Sequence, residues 1–131
     1  MREYALLLGL GFQIWDDVLG LTGDERSLGK PVGSDIRNGK RTIIVLHALE
    51  HLGEEDARRS NLLAILGNDK ASEEEISSAI AILKETGSIE YAKTAAKDFA
   101  ARAKSRLDCL GESREKELLS KLVDFAVGRK T

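Results

Sequence analysis

The chain has 131 residues, enough for a single domain over residues 1–131 with a buried core. Its formal net charge of −2 at pH 7 gives no support to a role in binding nucleic acid or an anionic membrane surface. A single proline and an abundance of Ala, Leu, Glu, Lys and Arg indicate an all-α fold. Because Cys109 is the only cysteine, no internal disulfide can form, and we expect a cytoplasmic location.

The first predicted helix covers residues 3–21 and ends at Gly23. Residues 4–12 are apolar on every side, which is typical of a helix surrounded by others. The apolar run over residues 4–15 is too short to span a bilayer, so we expect no transmembrane segment. The remaining helices are too short to enclose this one completely. The pattern therefore predicts part of a larger bundle, or a protomer that pairs with a second copy through this helix.

Residues 23–35 contain glycines and Pro31, so we predict an ordered loop or short turns there and no regular structure. Hydrophobic periodicity predicts five further helices, over residues 41–52, 54–66, 72–87, 88–110 and 113–127. Their starts carry recognisable signals. Ser72 with Glu75 forms a capping box, and Ser88 and Ser113 are predicted to cap the helices that they precede.

The candidate site begins on the first helix. Gln13 and Asp16 share one stripe with Gly9 and Gly20, and Asp17 lies one residue round the helix. Mg²⁺ takes oxygen ligands and usually combines one or two carboxylates with substrate phosphates. Asp16 and Asp17 suit that chemistry, and an acid pair that directly follows an apolar run on the same helix is hard to explain as ordinary surface. These residues predict a metal site.

Charged residues further along the chain complete this pattern. Lys30 and Lys40 would neutralise phosphate charge as mobile point charges. Asp35 lies between them and could orient a lysine or a metal-bound water. Carboxylates followed by lysines are the groups that a protein needs to bind a diphosphate together with a divalent cation.

The motif FQxxDD, followed by GKPxGSDxxxGKxT and a helix containing HALE, resembles the second aspartate-rich region of the trans-isoprenyl diphosphate synthases. The likeness is dense over residues 4–51, and the residues beyond Gly87 resemble the last helices of the same family. The resemblance implies an all-α helical bundle that forms the C-terminal part of the isoprenoid synthase fold. It also implies Mg²⁺ as cofactor, isoprenoid diphosphates as substrates, and a homo-oligomer or a missing N-terminal half as partner.

The resemblance also implies a role for each matching residue. Asp16 would bind Mg²⁺ directly, and Asp17 would support that site or hold a metal-bound water. Gln13 would lie beside the diphosphate, and Phe12 would border the isoprenoid pocket.

The lysines of the second motif would act on the leaving group. Lys30 and Lys40 would contact the departing diphosphate, with Asp35 orienting them. The reaction of the family is ionisation of an allylic diphosphate, attack by the double bond of isopentenyl diphosphate, and loss of a proton.

Two departures from the family pattern limit what this chain is expected to do. The family motif is DDxxD, and Gly20 stands at its third acidic position. The first aspartate-rich motif is absent from the sequence. We therefore expect the C-terminal half of a prenyltransferase that is inactive alone. The alternative is a non-catalytic partner or dimerisation module of a complete synthase.

A different enzyme class is suggested by His47-Ala48-Leu49-Glu50-His51, which matches the H-x-x-E-H signature of inverted zinc peptidases. The favoured interpretation is simpler: His47 packs or hydrogen-bonds near the bundle, and His51 lies at the surface. At the end of the chain, Arg129–Lys130 could reach toward a diphosphate as a C-terminal tail, but a solvated end is the favoured interpretation.

Overall fold

The computed structural model describes residues 1–23 and 32–129, and this part of the chain is helical and contains no strand. In chain order its helices are α1 (Arg2–Thr22), α2 (Ser34–Arg37), α3 (Ile43–His51), α4 (Ala57–Ile65), α5 (Glu73–Glu85), α6 (Ser88–Ser105) and α7 (Arg114–Ala126). A short 3₁₀ helix, Arg106–Cys109, follows α6. The all-α prediction is confirmed.

Helix starts follow local chemistry at several places. Ser72 and Glu75 form both hydrogen bonds of the predicted capping box, and the Ser113 hydroxyl accepts from the Lys116 N–H. The prediction for Ser88 is wrong. Gly87, in the left-handed region at φ 72°, is the N-cap of α6, and Ser88 is a buried residue inside the helix. A glycine adopts that conformation without strain. Because glycine has no side chain, the start of α6 has no side-chain cap.

The end of α6 also differs from the prediction. The α-helix stops at Ser105, and Arg106–Cys109 continues as 3₁₀ helix, so it does not reach Leu110 as an α-helix. Tightening to i→i+3 hydrogen bonds is common at helix ends. Here the Leu110 N–H donates to the Leu107 carbonyl, and Leu107 is buried in the core.

The long helix α1 organises the bundle, and it packs most extensively against α6. The two run antiparallel, since Glu3 pairs with Arg106 whereas Gly11 lies against Ala96. A Cβ at Gly11 would come within 3.1 Å of the Ala96 carbonyl oxygen, so glycine permits this close approach. The C-terminal half of α1 joins a core built with α2 to α6, and its N-terminal half joins a second core with α6 and α7.

One face of α1 remains uncovered in the described structure. Leu6, Leu10 and Phe12 are 62%, 41% and 45% exposed. By length and composition alone α1 could cross a membrane, but 44% of its most apolar window is buried, and a core helix of a soluble protein passes the same test. Exposed apolar side chains of this kind are typical of a surface that another element contacts. The predicted larger bundle or paired protomer stays a prediction.

The predicted loop over residues 23–35 is correct only in part. Ser34–Arg37 forms α2, and residues 24–31 lie outside the described residues. Gly33 precedes α2 at φ +83°, and its N–H donates to the Gly20 carbonyl over 2.9 Å. This bond fixes α2 against the end of α1, where the acid pair lies.

Candidate functional site

Asp17 is the buried centre of the candidate site. Its side chain is 8% exposed, and its Oδ1 accepts from Lys40 Nζ at 3.1 Å and from Gln13 Nε2 at 3.2 Å. Gln13 lies one helical turn before Asp17 on α1, so the two side chains share a face. The sequence pattern had placed Gln13 on the stripe of Asp16, and the structure instead pairs its amide with Asp17.

Lys40 joins α1 to the segment before α3. Its side chain is 47% exposed, so it is accessible to a ligand while it contacts Asp17. The hydrogen bond to Asp17 raises the pKa of Lys40; burial opposes this, and the charges of Asp17, Asp35 and Asp16 add to it. The side chain of Lys40 is therefore positively charged at pH 7; it contacts the carboxylate of Asp17, and the charges of Asp35 and Asp16 act on it from further away.

Asp35 reaches the same cleft from α2. The cleft is lined by Asp17, Asp35 and Lys40, together with Thr42 and apolar side chains. A Cβ built on Gly20 would lie 3.7 Å from Asp35 Oδ2, so the carboxylate of Asp35 stands over the position where a third acid of α1 would begin. An acid from another helix therefore lies beside the glycine that departs from the DDxxD pattern.

Asp16 faces the other way. Its side chain is 43% exposed, and its Oδ1 lies 3.7 Å from Arg129 Nη2. Successive residues of a helix differ by about 100° in direction, which explains why the two neighbouring acids contact different cations. Asp16 is thus the more accessible carboxylate of the pair.

Arg129 lies beside the candidate site, although the sequence favours a solvated end for it. Its side chain is only 6% exposed, its guanidinium lies 3.9 Å from the centre of the Phe12 ring, and it also donates to the Ala126 carbonyl. Trp15 Nε1–H donates to the Arg129 carbonyl at 2.8 Å. Burial lowers the pKa of Arg129, and the charge of Asp16 opposes that shift. The expectation of a solvated end is wrong for Arg129, and Lys130 lies outside the described residues.

The predicted site residues therefore divide into two groups. One group lies at the cleft and consists of Gln13, Asp17, Asp35 and Lys40. The other group, Phe12 and Asp16, lies beside Arg129. Lys30 lies outside the described residues. Within residues 1–23 and 32–129 no group of three or more His, Cys, Asp or Glu side chains converges to hold a metal ion. A cation at this site would need ligand oxygens from a bound substrate or from elsewhere.

Replacing Lys40 by methionine is expected to lower the free energy of unfolding by about 1–2 kcal/mol, because among residues 1–23 and 32–129 the buried Asp17 carboxylate then keeps only Gln13 as a partner. Urea unfolding at pH 7 measures this. Lys93→Met is the control, since Glu90 is exposed and that change should cost less than about 0.5 kcal/mol.

The stability that Lys40 provides should also depend on pH. Because the pKa of Lys40 is raised above 10.5, its contribution to the free energy of unfolding is complete below that pH and is lost as the pH rises through the pKa of the folded state. Equal stability of Lys40→Met and wild type at pH 7 would contradict the pairing.

The H-x-x-E-H segment lies on α3, away from this cleft. His47 Nδ1 is 2.8 Å from the Ser88 hydroxyl, and His51 is exposed, as the simpler interpretation predicts. The described residues bring no third His, Cys, Asp or Glu into a cluster with the two histidines. A zinc peptidase needs such a ligand, so the geometry gives that alternative no support.

Comparison with known proteins gives a consistent result. The family model described as "Polyprenyl synthetase" matches residues 1–83. A short chain isoprenyl diphosphate synthase from Methanocaldococcus jannaschii is 53% identical over 129 residues, which are 98% of this chain and 38% of that protein. The crystal structure of geranylgeranyl pyrophosphate synthetase from Pyrococcus horikoshii has a TM-score of 0.89 at 43% identity, covering 97% of this chain and 38% of that one.

A further solved structure carries ligands. The geranylgeranyl pyrophosphate synthase from Corynebacterium glutamicum, complexed with isoprenyl diphosphate and magnesium, has a TM-score of 0.89 at 29% identity, covering 97% of this chain and 36% of that one. The chain therefore spans well under half the length of the relatives that it matches.

Proposed function

This chain belongs to the polyprenyl synthetase family, and on that premise we propose that it forms one wall of the active site of a Mg²⁺-dependent prenyltransferase. The intact enzyme would condense isopentenyl diphosphate with an allylic diphosphate. The observation that carries the proposal is the Asp17–Lys40 pair at the end of an apolar helix, with Asp16 accessible beside it. A related synthase is described as complexed with isoprenyl diphosphate and magnesium, which supports this choice of ligands.

The two acids would have different tasks. Asp16 would bind Mg²⁺ directly, since it is the more exposed carboxylate and its contact with Arg129 is long, at 3.7 Å. Asp17 already has two hydrogen-bond partners, so it would hold Lys40 and Gln13 in place beside the diphosphate or accept from a metal-bound water. Asp35, over Gly20, would stand in for the acid that α1 lacks at that position.

The distribution of apolar and acidic side chains along α1 matches the two parts of an isoprenoid diphosphate, its hydrocarbon chain and its charged diphosphate. The acid pair lies toward its C-terminal half, and the exposed side chains of Leu6, Leu10 and Phe12 lie before it. The diphosphate would bind at the polar end and the hydrocarbon chain along the apolar face. Phe12, at the boundary, would border the isoprenoid pocket.

The chemistry follows from this placement. The allylic C–O bond breaks, the diphosphate leaves with the bonding electrons, the double bond of isopentenyl diphosphate attacks the carbocation, and a proton is lost. Mg²⁺, when bound, supplies charge that stabilises the departing diphosphate. Lys40 and Lys30 would add fixed positive charge on the same group, and Gln13 would orient it.

A second function, that of a dimerisation module or non-catalytic partner, is favoured by one observation. The apolar face of α1 is uncovered in the described structure and would suit a second copy or another polypeptide. A homodimeric, cytoplasmic enzyme is our proposal for the intact protein.

The isolated chain is expected to form no prenyl diphosphate product from isopentenyl diphosphate and an allylic diphosphate at saturating Mg²⁺. The reason is that it spans 38% of its relatives and its described acids form no complete metal site. Radiolabelled isopentenyl diphosphate and product extraction measure this, with the complete Methanocaldococcus relative as positive control. Product formation by the isolated chain would contradict the proposal that this chain forms only one wall of the active site.

A further inference from the structure

Arg129 brings a buried positive charge to the side of the acid pair. Its side chain is almost completely buried, and its guanidinium lies over the Phe12 ring, 3.9 Å from the ring centre. A guanidinium is not deprotonated in proteins, so this charge is permanent. Burying a permanent charge costs free energy unless hydrogen bonds and an opposite charge compensate it. The proposed prenyl transfer assigns no task to this charge.

Most of the groups around the guanidinium are neutral. It donates to the carbonyls of Ala126 and Phe12. Among residues 1–23 and 32–129, Asp16 is the only carboxylate within 4 Å of it, with Oδ1 at 3.7 Å from Nη2. Asp16 is therefore the counter-charge of Arg129 as well as the proposed direct ligand of Mg²⁺.

The backbone of Arg129 is held in place independently of its side chain. Trp15 Nε1–H donates to the Arg129 carbonyl at 2.8 Å, and the Arg129 N–H donates to the Phe125 carbonyl at 3.1 Å. Trp15 directly precedes Asp16 on α1. The guanidinium is thus placed beside Asp16 by main-chain contacts that a side-chain substitution at position 129 leaves in place.

The two roles of Asp16 compete with each other. A cation bound to the Asp16 carboxylate would take the counter-charge of Arg129 and add positive charge beside a buried guanidinium. Like charges repel, and most strongly where burial limits screening by solvent and salt. A diphosphate brings several negative charges, which would compensate both cations. Because the described acids form no complete metal site, a bound ion would also need the oxygens of the diphosphate as ligands.

We propose that Arg129 makes the binding of Mg²⁺ at Asp16 depend on a bound diphosphate, an inference that rests on the proposed function of the site. Arg129 acts through Asp16 and is therefore a positioning residue. Without diphosphate it holds the Asp16 carboxylate and disfavours the metal ion. With diphosphate its charge is compensated, so the ion and the diphosphate bind together.

The proposal is tested by NMR on the full 131-residue chain, which is titrated with MgCl₂ alone and with MgCl₂ in excess inorganic diphosphate. The amide shifts of Asp16 and Asp17 give the Mg²⁺ concentration at half-saturation in each series. The ratio of the two concentrations is the coupling factor between metal and diphosphate. In the wild type we expect a coupling factor of at least about tenfold, which lies in the usual range for coupled ligands.

Three variants separate the charge of Arg129 from its packing. Arg129→Met keeps an unbranched side chain but removes the charge, so the coupling factor should fall by about tenfold, chiefly through tighter binding of Mg²⁺ alone. Arg129→Lys keeps the charge and should keep the factor within about threefold of wild type. Arg106→Met is the matched control, since it removes an exposed partner of Glu3 at the other end of α1 and should leave the factor unchanged.

The indole of Trp15 reports whether the end of the chain still lies on α1 in these variants. Trp15 is the only tryptophan, so its Nε1–H gives a single signal, and that proton is donated to the Arg129 carbonyl. We expect this signal to stay unchanged in ligand-free Arg129→Met. If it moves, Arg129→Lys decides: a coupling factor near that of wild type supports the proposal, and a lost factor overturns it.

Two outcomes would overturn the role of Arg129 alone. One is an unchanged coupling factor in Arg129→Met, and the other is a factor lost equally in Arg129→Met and Arg129→Lys. The proposed function stands in both cases if the wild type responds to Mg²⁺ with diphosphate and Asp16→Ala does not. If residues 13–40 respond to Mg²⁺ and diphosphate in no variant, the proposed function and this inference are both wrong.

Discussion

Asp16→Ala in the complete enzyme is expected to lower kcat by about 10²–10³-fold, the usual cost of removing one preorganised group that stabilises developing charge. The physical reason is that Asp16 is the accessible carboxylate of the acid pair, and it is the one we propose binds Mg²⁺. Asp17, by contrast, is already engaged by Lys40 and Gln13. Steady-state kinetics with saturating allylic diphosphate, isopentenyl diphosphate and Mg²⁺ measure the change.

Glu74→Ala is the matched control, since Glu74 is an exposed acid in the first turn of α5 and should leave kcat unchanged. The Mg²⁺ concentration for half-maximal activity should rise in Asp16→Ala and stay constant in Glu74→Ala. If Asp16→Ala keeps activity within about threefold of wild type, the assignment of Asp16 as the direct metal ligand is wrong.

Gly33→Ala is expected to lower the free energy of unfolding by about 2–4 kcal/mol, the largest stability effect that we expect. Gly33 has a φ of +83°, which an alanine adopts only with strain, and its new Cβ would overlap the Cγ2 atom of Ile76. The same residue donates to the Gly20 carbonyl. Its disturbance should therefore loosen α2 and Asp35 as well. Urea or thermal unfolding measures the loss.

Gly53→Ala serves as the control for a glycine without these constraints. A Cβ there would meet no atom within 4 Å, and the residue is exposed. We expect its stability to lie within about 0.5 kcal/mol of wild type. Equal stabilities of the two variants would show that α2 is not held against α1 and α5 in the way described.

The fold was predictable where local chemistry decides it. Ser72 and Ser113 cap their helices as predicted, because a hydroxyl two or three residues before a backbone N–H needs nothing from the rest of the molecule. Ser88 is also a serine at the start of a predicted helix, but its hydroxyl forms hydrogen bonds with His47 and Thr86, and Gly87 is the N-cap. Tertiary contacts decided that case, and the local sequence carries no trace of them.

The site was predictable as a set of residue types but not as a geometry. The acid pair and Lys40 were identified from their order along the chain, whereas the choice of Asp17 as the partner of Lys40 depends on how α1 packs against the segment before α3. Arg129 is separated from Phe12 by 117 residues, and no spacing rule connects them. Its burial follows from the Trp15 hydrogen bond and the aromatic ring beneath it.

The central claim is that the acid pair of α1 and Lys40 bind a diphosphate through Mg²⁺, and an NMR titration of the chain with inorganic diphosphate and MgCl₂ tests it most directly. We predict amide shifts concentrated in residues 13–40 that require both components together and disappear in Asp16→Ala. Shifts that appear with diphosphate alone elsewhere on the chain, or that persist unchanged in Asp16→Ala, would contradict the account.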